Sequence, residues 1–149
     1  MKKFRILACS LLAVLVLTGC GSKTLTCTKS ETSSGLDMTQ EIKIVFKGDK
    51  VKDLNAKFGI VAVEQTIKNS WDTLVPLWAV EFPETNEDGI KVSVKNDKNN
   101  YSFQAIIEID ADKVSESSLE TYDLDGLTET GVGFEQAKEN FEGMGYTCK

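Results

Sequence analysis

The sequence predicts an α+β domain: an antiparallel sheet of about five strands in hairpins, packed by a central amphipathic helix and a C-terminal helix. Three observations predict it. Apolar residues alternate with period two in several segments bounded by turn residues. One long segment changes to a period of three and four. The helical segments follow the strand-like runs, and that order places helices against one face of an antiparallel sheet.

Thr24-Leu25-Thr26-Cys27-Thr28-Lys29 is rich in β-branched residues and reads as a first strand, with Leu25 and Cys27 on one face. Ser33-Ser34-Gly35 is a turn signal. Met38 to Phe46 alternates, with Met38, Gln40, Ile42, Ile44 and Phe46 on one side and Thr39, Glu41, Lys43 and Val45 on the other. Lys47-Gly48-Asp49-Lys50 reads as a tight turn, and Val51, Leu54 and Phe58 mark a third strand containing a bulge. From Ala62 to Trp78 the residues Val63, Ile67, Trp71, Leu74, Val75 and Trp78 recur at helical spacing. Pro76 predicts a kink or an end near Val75. The Trp71/Trp78 pair reads as core, with an aromatic cleft as the competing use.

Phe82 to Gly89 reads as a polar loop. Ile90 to Lys95 alternates as a fourth strand, and Tyr101 to Ile109 forms a fifth after the Asn96–Asn100 turn. The acidic stretch Ala111 to Glu129 allows a short helix around Val114 to Tyr122. Phe134 to Glu142 is a last amphipathic helix, with Phe134, Ala137, Lys138 and Phe141 on one side and Gly143 and Gly145 ending it. Tyr146-Thr147-Cys148 then runs back toward the first strand.

The N-terminus has the zones of an export signal. Lys2, Lys3 and Arg5 are followed by the apolar run Ile6 to Leu17, which is too short for a span of roughly 20 apolar residues. Leu17-Thr18-Gly19-Cys20 reads as a lipobox, with cleavage between Gly19 and Cys20 and lipidation of Cys20. Residues 1–19 are then a signal peptide, 20–23 a lipidated tether, and 24–149 one α+β domain. Two acyl chains on Cys20 would give stable attachment to a membrane where one would be marginal.

Removing Lys2, Lys3 and Arg5 leaves 14 basic against 23 acidic residues, a net charge of −9 against −6 for the whole chain. Counterion release on nucleic acid needs a basic footprint, so nucleic acid is excluded as a partner. Four cysteines are encoded. Cys9 leaves with the signal and Cys20 takes lipid, so Cys27 and Cys148 remain as one candidate disulfide in an exported, non-reducing setting.

The chain has no histidine. Ser-His-Asp and Cys-His nucleophiles therefore lack their base, and no Cys/His zinc site can be assembled. Gly131-Val132-Gly133 lacks the lysine and third glycine of a phosphate loop. Asp123-Leu124-Asp125-Gly126 resembles the middle of a calcium loop, but that register puts Val132 where the bidentate acid belongs. A looser calcium site from Asp110, Asp112, Asp123 and Asp125 stays open, as does a pair of carboxylates at hydrolase spacing. No catalytic residue, metal ligand or cofactor is assigned.

The lipobox, the Thr26-Cys27-Thr28-Lys29 strand, Phe46-Lys47-Gly48-Asp49-Lys50-Val51, the central helix, the second hairpin and Gly145-Tyr146 together resemble the YehR-like small bacterial lipoproteins. That resemblance covers most of the mature chain. It implies a compact α+β lipoprotein and carries over no catalytic residues. The Cys27/Cys148 pair looks like the version in low-GC Gram-positive relatives. The expectation is a non-enzymatic lipoprotein on the extracytoplasmic face of the cell membrane, binding an envelope protein or a small ligand. The alternatives are an envelope hydrolase using paired carboxylates or a calcium-dependent surface protein.

Overall fold

The computed structural model describes residues 21–121 and 132–149. Its strands are β1 (Ser22–Ser33), β2 (Leu36–Lys47), β3 (Lys50–Ala62), β4 (Thr85–Glu87), β5 (Ile90–Asp97), β6 (Ser102–Asp110) and β7 (Thr147–Cys148). Its helices are α1 (Gln65–Asn69), α2 (Trp71–Glu81), α3 (Glu116–Thr121) and α4 (Phe134–Gly143). The strands form one sheet in the order β4-β5-β6-β3-β2-β1-β7, with every neighbouring pair antiparallel.

The α+β layout therefore holds, but the sheet has seven strands among the described residues and not about five. β4 lies in the stretch read as a polar loop. Asp88 and Gly89 both take positive φ, 50° and 77°, and turn β4 into β5 in two residues. An Asp-Gly pair is suited to that turn, and it is the signal in the sequence that marks β4. Gly89 is also tight: a Cβ there would meet Val114 N at 2.6 Å. β7 is a two-residue edge strand that pairs Cys148 with Cys27 and Thr147 with Thr28.

The central helix also differs from expectation. β3 continues to Ala62, so the helical run starts later than expected, at Gln65. It breaks at Ser70, whose carbonyl then accepts from Thr73 and Leu74 at the start of α2. Pro76 sits inside α2 and does not end it. It removes one helical hydrogen bond, but Trp78, Ala79 and Phe82 beyond it dock on the core and hold the helix to Glu81. The predicted helix at Val114–Tyr122 shortens to Glu116–Thr121; Tyr122 lies outside the described residues. β1 begins at Ser22, so Ser22 and Lys23, read as tether, pair with Lys47 and Phe46. The expected bulge is present: the β2–β3 register shifts between Val45 and Phe46, leaving Lys52 without an opposite residue.

Period-two alternation gives the sheet two unlike faces. On the covered face the register aligns Leu25, Ile44, Leu54, Ile109 and Ile90, and in the next row Cys27, Ile42, Ala56, Ile107 and Val92. These rows pack against Leu119 of α3 and Phe134, Ala137 and Phe141 of α4. At the far end of β3 the same face carries Ala62, Phe103 and Ala105 under Trp71, Trp78 and Ile67. Trp71 is 1% exposed, and its indole donates to Asn96 at 3.0 Å. The tryptophan pair is thus core.

Candidate binding face

The other face of the sheet carries no helix among the described residues. Its rows follow from the same register. Thr26, Lys43, Asn55, Glu108 and Lys91 align across β1, β2, β3, β6 and β5. Thr28, Glu41, Lys57, Ile106 and Ser93 form the next row, and Ser30, Thr39, Gly59, Gln104 and Lys95 the one after. The strong right-handed twist of antiparallel sheets makes such a face concave along one diagonal. A depression of about 750 Å³ lies over Lys43, Asn55, Lys57, Lys91, Ser93, Lys95 and Glu108. It adjoins one of about 620 Å³ over Thr39, Gly59, Lys95 and Gln104. These volumes fall in the range of ligand sites; lysine and acid side chains line them together with Val45 and Ile106, and they are open to water.

Gly59 interrupts the face at its middle. A Cβ there would come within 2.5 Å of Thr39 Oγ1, so the Thr39 side chain leans over the space that glycine leaves. Glycine inside a strand costs about 0.5–1 kcal/mol relative to alanine. It commonly marks close approach of a ligand or another backbone.

The charges on this face are partly matched. Lys57 pairs with Glu41 at 3.1 Å and Lys91 with Glu108 at 3.2 Å. Asp53 lies 3.9 Å from Lys52. These groups are roughly half exposed, so the pairs add little stability; their effect is to neutralise the acids. Lys43 and Lys95 have no ion-pair partner among the described residues.

Cys27 and Cys148 are joined as a disulfide, 121 residues apart in sequence. Cys27 is fully buried and the bridge ties β7 to the edge of β1. Leu17, Thr18, Gly19 and Cys20 lie outside the described residues, as do Asp123 and Asp125. Asp110 is engaged by Lys113 and accepts the Asp112 amide at 3.2 Å, so it serves a turn. No cluster of three or more His, Cys, Asp or Glu side chains arranged for a metal occurs among the described residues. Two carboxyls titrate below the ordinary range: Asp97, through the hydrogen bond from the Asn100 side chain, and Asp110, through that from Lys113. A general acid needs the opposite shift. No described helix is long and apolar enough to cross a membrane.

Two solved structures share this architecture. An NMR structure of a protein from Streptococcus pneumoniae TIGR4 superposes with a TM-score of 0.53 at 17% identity, covering 87% of this chain and 86% of that one. The NMR structure of the Escherichia coli YehR protein superposes with a TM-score of 0.52 at 21% identity, covering 86% and 92%. The fold is that of YehR. At these identities the likeness is one of fold. No family model and no curated protein matches the sequence.

Polar strand positions serve in the sequence only to orient the apolar ones, so the bare face does not stand out there. The available signal was Lys91, Ser93 and Lys95 in one phase, together with a glycine in the middle of β3.

Proposed function

We propose that the protein is an envelope lipoprotein of the YehR-like type, anchored through Cys20, whose domain is a binding module and uses the bare face of the sheet. The observation that carries the reading is the asymmetry of the sheet: side chains from all four helices cover one face, and the other is an open concavity lined by four lysines, two of them without an ion-pair partner among the described residues. A lipid on Cys20 would be separated from β1 by Gly21 alone, so the sheet would stand directly on its anchor. The long β1 strand would then carry its far end some 35–40 Å along the strand axis, at about 3.3 Å per residue.

Photocrosslinking in living cells tests this reading. A benzophenone amino acid is placed at Gln104, on the bare face, or at Glu135, on the exposed side of α4, in the full chain. An adduct from Gln104 and none from Glu135 supports the module. Adducts from Glu135 alone would move the binding surface to the helical layer.

A further inference from the structure

We propose that the bare face binds an extended, hydroxyl-rich ligand carrying anionic groups: a glycan or polyol chain with carboxylates or phosphates. The inference rests on the bare face being the binding surface and names the chemistry it takes. Charge is the first ground. The chain is net negative, −6 overall, yet the larger depression is lined by Lys43, Lys57, Lys91 and Lys95 against Asp53 and Glu108, with Asp97 beside Lys95 in the adjoining one. An excess of ammonium groups in one depression of an acidic molecule favours anions there.

Spacing is the second ground. Lys43 on β2 and Lys95 on β5 are three strands apart and offset by two rows. At about 4.8 Å between strands and 3.4 Å per residue, their Cα atoms stand roughly 20 Å apart. A compact anion reaches one of them; a chain reaches both. Between them lie Asn55, Ser93 and Gln104, half-buried and with no side-chain hydrogen bond among the described residues. Amides and a hydroxyl both donate and accept, which suits ligand hydroxyls. At Gly59 the Thr39 hydroxyl occupies the space over the strand and adds one more group that both donates and accepts.

The described part of this face has no aromatic side chain, so it offers no stacking platform for bases. Recognition must come from charge and hydrogen bonds.

The test is an NMR titration of the full-length protein in nanodiscs with three polymers: polygalacturonate, phosphomannan and neutral dextran. The expected result is that at least one acidic polymer shifts the resonances of Lys43, Gly59 and Lys95, whereas dextran does not. Which polymer acts distinguishes carboxylate from phosphate. The Lys43→Gln/Lys95→Gln double variant should bind about tenfold or more weakly, since bonds to charged groups are the strong ones, and added salt should weaken the wild type. Gly59→Val should weaken binding while leaving the fold intact, because valine suits a strand and the Thr39 side chain can swing aside. Equal binding of dextran on this face would overturn the anionic assignment and leave the binding face standing. Shifts confined to other surfaces would overturn both. No shift with any polymer, or unchanged binding by the double lysine variant, would overturn the inference.

Discussion

Tyr146 shows how one side chain closes the domain. Its hydroxyl donates to Gln40 Oε1 on β2, its ring stacks edge-on against Phe141 at 5.4 Å, and the Lys29 ammonium lies 5.7 Å from the ring centroid. Lys29 also donates to the Met144 carbonyl at 3.3 Å. Tyr146→Phe removes only the hydroxyl and should cost about 1 kcal/mol in chemical denaturation. Burial raises the Tyr146 pKa. The phenol's contribution is therefore complete below its unfolded value of about 10 and lost as pH rises through the raised folded value. Asp97 has the opposite sign. Its lowered pKa comes first from the Asn100 side chain, with the Asn100 and Asn99 amides adding to it. Its contribution is present above the unfolded carboxylate range, near pH 4, and lost as pH falls through the lowered value. Asp97→Asn should flatten the acid side of a melting-temperature profile; an unchanged profile would show that the turn is stable without this carboxylate.

At the scale of elements, the turns decide what alternation alone does not. Ser34 and Gly35 between β1 and β2, and Asp88 and Gly89 between β4 and β5, all have positive φ. The first pair was legible because two long alternating runs flank it. The second was not, because β4 has three residues and no buried position to show a period. Gly89→Ala should therefore be costly: positive φ alone is worth about 1–3 kcal/mol for a residue with a Cβ, and the new atom meets the Val114 backbone. A melting temperature within a degree or two of wild type would contradict this packing. The α1–α2 break was illegible for a different reason. Ala62 and Val63 satisfy both a strand and a helix period, and only the pairing of Ala62 with Leu36 decides for the strand. Pro76 misled because tertiary contacts beyond it outweigh one lost hydrogen bond. The other helix ends came within a residue or two because glycine and an amphipathic stripe agree there, as in α4.

At the scale of the molecule, the disulfide and the two-faced sheet are the main consequences. The bridge links the first strand to the last, closing nearly the whole described chain into a loop. On the chain-entropy model a loop of this size is worth about 4–5 kcal/mol. Cys148→Ser should lower stability by an amount of that order, read as a shift in denaturation midpoint, and non-reducing peptide mapping of the wild type should recover Cys27 linked to Cys148. Elimination among four cysteines made that pair visible from sequence. The bare face was less visible, since a polar strand phase signals only that no core covers it; the pairing of β3 with β6 was needed to bring Lys43, Gly59 and Lys95 onto one surface. The central claim is that this surface is occupied where the protein works. Lysine acetylation footprinting on intact cells and on the purified full-length protein tests it directly. The account predicts that Lys43 and Lys95 are protected in cells and reactive once purified, while Lys50, exposed at the start of β3, reacts equally in both. Equal reactivity of Lys43, Lys95 and Lys50 in cells would contradict it.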